Sequence, residues 1–307
     1  MEIIRDLSHY KAERDMVVSI GNFDGLHVGH AALAERVVTL ARERGLMSAF
    51  VSFDPHPMKF FGADVKLLQT EEMKIREFEK LGADKLFLLK FDEHIAGINP
   101  EIFVSEYLLK TMRARFIVVG YDYRFGRNRT GSYEFLKMLE PKYGFTAIRV
   151  DKVVVDGITA SSSNIRKYLT EGDPETAAML LGRRYSMAGE VVRGDGIATR
   201  MGFPTANIKV DNELIPMNGI YAAVVHIDDR IYNGALYIGE RPTVAEGMSK
   251  RVEVNVFGFK DNLYGKTLEV EVAKFIRGDR RFGSVDELTG QIKIDCDNIR
   301  VFFDRQN

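Results

Sequence analysis

The sequence predicts an α/β domain followed by a β-rich domain, and three observations carry that prediction. Short apolar runs alternate with helical patterns up to about residue 183, the rhythm of a parallel sheet with flanking helices. From about Tyr185 the strand-like segments follow one another across Gly, Asn and Asp turns with no helix between them, as in an antiparallel barrel or sandwich. One helix closes the chain, opening on Ser284-Val285-Asp286-Glu287, a capping-box pattern. The expected domains are therefore 1–183 and 184–307.

In the first domain the apolar runs are Val17–Ile20, Met47–Phe53, Lys85–Leu89 and Phe116–Val119, of the length and composition of strands buried on both faces. Between them lie helical patterns over His30–Arg44, Glu71–Leu81 and Pro100–Met112. The last begins with Asn99 as N-cap and Pro100 at the first helical position. Such a layer binds ligands beyond the carboxyl ends of its strands. In the second domain the strands expected are Met187–Arg193, Gly219–Ile227, Ile231–Ile238, Arg251–Phe259 and Thr267–Phe275, with turns at Asp228-Asp229 and Asp261-Asn262.

Composition narrows the function classes. The chain has 307 residues, 45% hydrophobic and 28% charged, with 43 basic against 44 acidic side chains and a net charge of −1. That balance lacks the positive field of a nucleic-acid binder. The single cysteine, Cys296, excludes an intramolecular disulfide and argues against a zinc site built on thiolates. No apolar run reaches the roughly 18 residues of a membrane span, and the first residues carry no signal-like apolar stretch. A cytoplasmic protein without membrane or nucleic-acid partners is expected, as a monomer or weak homo-oligomer.

The most informative stretch is Gly21-Asn22-Phe23-Asp24-Gly25-Leu26-His27-Val28-Gly29-His30. It joins an apolar strand to a helical pattern, so two imidazoles three residues apart face the positive end of a helix. Backbone N–H groups there already favour an anion, and Gly29 lets the backbone approach phosphates closely. Asp54-Pro55-His56-Pro57 ends the next strand and reads equally as a rigid exit presenting His56 or as an ordinary turn. The segment Gly120-Tyr121-Asp122-Tyr123-Arg124-Phe125-Gly126-Arg127-Asn128-Arg129 mixes aromatic faces and guanidiniums, suited to a ring beside a phosphate or to a solvated loop. Ser161-Ser162-Ser163-Asn164-Ile165-Arg166 opens a helix as an anion cradle or as simple capping.

In the second domain a Gly-rich basic loop, Arg193 to Gly202 with Gly194, Gly196 and Arg200, leads into Phe203-Pro204-Thr205-Ala206-Asn207. If extended, Thr205 and Asn207 share one face, and their oxygens suit a hard cation such as Mg²⁺ carried by a nucleotide. Along Val252-Glu253-Val254-Asn255-Val256 the valines take one face and Glu253 the other. That carboxylate is a general base for a hydroxyl or an ordinary solvated side chain. Gly258…Gly265-Lys266-Thr267 resembles a phosphate loop, but six residues separate its glycines where about four are needed, and no helix follows.

Together these motifs resemble one family, the prokaryotic bifunctional riboflavin kinase/FMN adenylyltransferases or FAD synthetases, over nearly the whole chain. His27 and His30 match a paired-histidine nucleotidyltransferase signature, and Gly120–Gly126 and Ser161–Arg166 match two further motifs. Gly202–Asn207, Gly239-Glu240-Arg241-Pro242-Thr243, Leu263-Tyr264-Gly265 and Arg281-Phe282-Gly283-Ser284 match riboflavin kinase. The resemblance implies a Rossmann-like nucleotidyltransferase domain and a riboflavin-kinase-like barrel. It implies that ATP phosphorylates riboflavin to FMN and that FMN and a second ATP give FAD and pyrophosphate. Thr205 and Asn207 then hold Mg²⁺, Glu253 is the general base, and the Gly194–Gly202 loop covers the nucleotide. His27, His30, Ser162 and Arg166 stabilise phosphate charge, with Asp122 near flavin or ribose. Asn22, Phe23, Asp24, Gly25, Ser161, Ser163, Pro204 and Arg241 complete the expected contacts. Tyr237, Asn255, Gly258 and Ser132 depart from residues common in the family at those places. Two alternatives stand beside this reading: a nucleotidyltransferase using another phosphate acceptor, and a non-catalytic flavin-nucleotide binder.

Overall fold

The computed structural model describes residues 1–194, 201–243 and 247–305, leaving aside the side chains of 241–249. The chain divides into two compact units, Met1–Lys66 with Glu71–Ala160 and Leu67–Thr70 with Ser161–Asn307.

The first unit contains β1 (Glu2–Ile4), β2 (Met16–Ile20), α1 (Val28–Arg44), β3 (Met47–Asp54), α2 (Pro57–Phe60), α3 (Glu71–Lys80) and β4 (Lys85–Lys90). It continues with α4 (Glu93–Gly97), α5 (Pro100–Ile102, running on as a π-helix over Phe103–Thr111), β5 (Ala114–Gly120), α6 (Tyr133–Tyr143), β6 (Thr146–Val150) and the small hairpin β7 (Val154–Val155) and β8 (Ile158–Thr159). The main sheet has the order β1-β4-β3-β2-β5-β6, with every neighbouring pair parallel. Alternate residues point to opposite faces. Val18, Ile20, Val51, Ile117 and Val119 pack against Val104, Leu108 and Leu136 from α5 and α6. Val17, Phe50, Leu86 and Val118 meet Leu33, Val37 and Leu40 of α1 and Phe78 of α3. Both faces being covered explains the unbroken apolar runs in the sequence.

The strand order reverses at β2, whose neighbours are β3 and β5. The turn after β2 and the turn after β5 thus leave adjacent strands at the switch point, where a crevice forms in sheets of this kind.

The second unit opens with α7 (Ser162–Glu171) and α8 (Pro174–Leu181), then β9 (Tyr185–Val192), β10 (Ala206–Val210), β11 (Gly219–Ile227), β12 (Arg230–Thr243), β13 (Gly247–Val256), β14 (Thr267–Arg277) and α9 (Val285–Asp304). The strands close a barrel in the order β10-β13-β12-β11-β14-β9, so the choice between barrel and sandwich goes to the barrel. Helix α9 lays Ile299 and Phe303 on Ala222, Val224 and Ala273. Several elements were not expected from sequence: β1, β6, the β7–β8 hairpin, α2, α4, α6 and α8. The expected strand Arg251–Phe259 is displaced toward the N-terminus and ends at Val256, because Phe257 and Gly258 form a turn with Gly258 at φ 76°.

Candidate active sites

Between β2 and α1 the chain takes two left-handed steps at Phe23 (φ 49°) and Leu26 (φ 39°) around Gly25 (φ 83°). Phe23 is buried edge-on against Phe50, Phe78 and the His30 ring, at 5.9, 5.2 and 5.4 Å. It anchors the turn to the core. His27 is the N-cap of α1, and its Nδ1 accepts a hydrogen bond from the His30 backbone N–H at 3.3 Å. An accepting Nδ1 leaves the proton of the neutral ring on Nε2. The two imidazoles stack at 3.7 Å and 21°. A Cβ on Gly29 would lie 3.1 Å from the His27 ring, so glycine is what lets that ring fold back over the helix start.

The first turn of α1 carries no acidic side chain, leaving its amides and dipole for an external anion. The His30 Nδ1 is buried with no hydrogen-bond partner in the protein, an orphaned polar atom of the sort a ligand satisfies. Burial, with the His27 and Lys74 charges, holds His30 well below the usual histidine range, so its resting form is the neutral imidazole. Asp24 is buried beneath the same turn. Lys74, on α3, was not anticipated from sequence. Its Nζ donates to the Asn22 carbonyl (3.1 Å) and the Ser52 hydroxyl (3.3 Å). The only sequence signal is its place four residues before the core residue Phe78, on the inward face of α3.

At the end of β3, His56 is buried and caps α2, its Nδ1 accepting from the Met58 N–H at 3.2 Å. The segment after β5 keeps Asp122 exposed while Phe125 is buried, paired by backbone with Gly131 and stacked on Tyr123 at 5.8 Å. Tyr123, pushed far up by burial, stays protonated. Arg124, Arg127 and Arg129 point to solvent. Ser161 caps α7 by accepting from the Asn164 N–H at 3.2 Å. Ser162, Ser163 and Arg166 occupy the first turns of α7, which by contacts belongs to the second unit.

In the barrel Asn207 of β10 stands opposite Glu253 of β13. The Thr205 hydroxyl lies 3.4 Å from Glu253 Oε2. Glu253 is buried, 7% exposed, so it is no solvated side chain of a polar face. The Arg251 guanidinium, two residues earlier on the same face of β13, pairs with its carboxylate. Gly194 sits directly against the Asn207 carboxamide, in space that a Cβ would occupy. Asn255 reaches the Pro204 carbonyl at 2.6 Å and pins the strand entry, with Gly202 at φ 87° just before it. Tyr237 bonds Asp279 at 3.4 Å. Burial first, then Asp279, raises that phenol. Gly196, Arg200 and the Arg241 side chain lie outside the described residues. Hydroxyl, carboxamide and carboxylate oxygens gathered on one wall form a hard donor set of the kind Mg²⁺ accepts.

A doubly wound α/β unit with an imidazole turn at its switch point, joined to a closed barrel with an oxygen-donor wall, is a two-domain transferase. Residues 9–164 match the FAD synthetase family model and residues 181–303 the riboflavin kinase model. The bifunctional riboflavin kinase/FMN adenylyltransferase of Escherichia coli K12 is 34% identical over 309 residues, covering 99% of this chain and 98% of that protein. Its Bacillus subtilis counterpart is 35% identical over 286 residues, covering 91% and 90%. A solved structure from Streptococcus pneumoniae, described as a macrolide-efflux protein, superposes with a TM-score of 0.88 at 30% identity and covers 95% of this chain and 96% of its own. Among the described residues no helix is long and apolar enough to cross a membrane. The chain belongs to the bifunctional riboflavin kinase/FMN adenylyltransferase family.

Proposed function

We propose that this protein makes FMN and then FAD: its barrel transfers the γ-phosphoryl group of ATP to the ribityl hydroxyl of riboflavin, and its α/β unit joins FMN to the AMP part of a second ATP. The observation that carries the reading is that each compact unit holds its own polar cluster, the stacked imidazoles in one and the Thr205–Glu253–Asn207 wall in the other. The expected functional boundary, 183/184, lies close to the start of the riboflavin kinase match at residue 181.

In the kinase step Glu253 accepts the proton of the attacking hydroxyl, with Arg251 fixing its carboxylate. Thr205 and Asn207 are the ligands for Mg²⁺, which when bound with ATP neutralises phosphate oxygens. Gly194 and Gly202 flank the loop over the nucleotide. In the adenylylation step the FMN phosphate displaces pyrophosphate from the α-phosphorus. The α1 amides, His27 and His30 receive the developing charge as fixed donors, which is how phosphoryl transfers gain most of their rate. Asp122 faces flavin or ribose, and Ser162 and Arg166 are the phosphate-binding residues that the family resemblance implies. A cytoplasmic monomer or weak homo-oligomer suits such small-molecule chemistry.

Incubation with riboflavin, ATP and Mg²⁺, followed by chromatography, is expected to yield FMN and then FAD. No product overturns the enzyme reading; FMN that never becomes FAD overturns the second step. Glu253→Gln is expected to slow FMN formation by roughly 10²–10⁴-fold while supplied FMN is still converted to FAD. Equal loss of both reactions contradicts separate sites.

A further inference from the structure

Lys74 brings a cation to the base of the imidazole turn and spends it on neutral partners. Its Nζ donates to the Asn22 carbonyl and the Ser52 hydroxyl, while that same hydroxyl donates to the Asn22 carbonyl at 3.1 Å. The bonds tie the turn after β2, the end of β3 and α3 into one knot. Asp24, Asp54 and Glu71 act on the ammonium through their fields only, against burial, which lowers it. Two of its three donors are committed.

Two carbonyl- and hydroxyl-directed hydrogen bonds require only an amide, as glutamine offers. Withdrawing an unpaired ammonium from water carries a penalty that an amide avoids. The charge balances the fields of Asp24, Asp54 and Glu71, a role that an amide could not fill and that places a cation beside the imidazole turn. The need for that cation is evident there: His30, held neutral by burial and by the His27 and Lys74 charges, contributes a hydrogen-bonding ring rather than charge, and the first turn of α1 carries no acidic residue.

We propose that Lys74 is the fixed cation of the adenylylation site, stabilising the triphosphate and the departing pyrophosphate from behind the Asn22–Asp24 turn. The proposal rests on the reading that adenylylation takes place at His27 and His30. It makes the site a pair of imidazoles laid over a half-buried lysine.

The test uses the intact protein with FMN and ATP, and in reverse with FAD and pyrophosphate, which isolates this site from the kinase. Lys74→Gln removes the charge while keeping an N–H donor group on a side chain one atom shorter. It is expected to raise KM for ATP and for pyrophosphate at least tenfold and lower kcat on the order of 10²-fold. KM for FMN and FAD should change less than twofold, and riboflavin phosphorylation should persist as the measure of folding. Lys74→Arg should recover at least tenfold of the loss. Lys74→Met, which keeps the apolar stem and has neither charge nor hydrogen-bond donor, carries the test if the glutamine variant fails to fold. Pyrophosphate and ATP constants within twofold of wild type overturn the proposal, as does an arginine variant no better than the glutamine one. His30→Asn, assayed alongside, separates the two readings. Its loss of adenylylation with Lys74→Gln intact sinks Lys74 alone; indifference of both sinks the imidazole site itself.

Discussion

Gly29 shows how narrowly the imidazole turn is built. Alanine is the better helix former, yet at this first-turn position its Cβ meets the His27 ring at 3.1 Å. Gly29→Ala should leave the urea midpoint unchanged or raised while FMN adenylylation falls about tenfold or more; an unaffected rate would show that the His27 pose is immaterial. His30 predicts a pH dependence. Its folded pKa lies below the ordinary 6.5. Above 6.5 the ring is neutral in both states and contributes nothing. As pH falls through 6.5 the unfolded chain takes up the proton and the folded one does not, so stability declines. His30→Gln should remove up to about 2 kcal/mol of the stability lost between pH 7 and pH 5, read as a flatter trend in urea midpoints. The two histidines were legible because glycines, spacing and the strand before them all point one way. Lys74 was not, since Glu71, Glu72 and Lys80 make α3 look like a solvated helix. Glu253 was ambiguous for the opposite reason: alternation with valines sets its face but says nothing of whether barrel closure covers it.

At the scale of elements, α9 depends on its cap and on one charge pair. The Ser284 hydroxyl accepts from the Glu287 N–H at 3.1 Å, while Glu287 reaches back to the Gly283 N–H at 2.9 Å. The reciprocal bond closes one residue earlier than the sequence pattern implies. Ser284→Ala should cost about 1 kcal/mol, measured by denaturant titration. Asp295, 3% exposed on α9, takes bidentate bonds from Arg277 on β14, Nε to Oδ1 at 3.0 Å and Nη2 to Oδ2 at 2.7 Å, and another, 2.9 Å, from Gln291. Arg277→Leu strands that carboxylate and should cost roughly 3–5 kcal/mol. Adding Asp295→Leu should restore most of it, and no recovery would deny the pair its role. Strands with continuous or alternating apolar residues were readable in sequence. The helix at Pro100 was readable as a helix, but its π-type hydrogen bonding over Phe103–Thr111 follows from packing and leaves no local mark. Elements such as β1 and the β7–β8 hairpin are too short for any periodicity to register.

For the whole molecule, the alternation of strands and helices followed by strands alone forecast both architectures, because each period reports a different way of burying a face. The parting of the two units was less accessible. Helices α7 and α8 continue the α/β rhythm of the sequence yet belong to the barrel unit, α8 packing on β9 and β14 and α7 on α8. The proposed division of labour predicts that substitutions at Thr205 or Asn207 stop phosphorylation of riboflavin while FAD still forms from supplied FMN. Tandem loss would contradict it.

The tetrapeptide Leu67–Thr70 belongs with the later unit although it interrupts the earlier one in sequence. Leu67 receives the Leu214 N–H at 3.2 Å and gives its own to Glu213 at 3.0 Å. Such a loan means that severing the polypeptide anywhere between 160 and 184 strips these contacts from the C-terminal fragment. A truncated kinase half should melt earlier than its counterpart in the intact protein, and genetic dissection of this enzyme is better done by point substitution than by scissors.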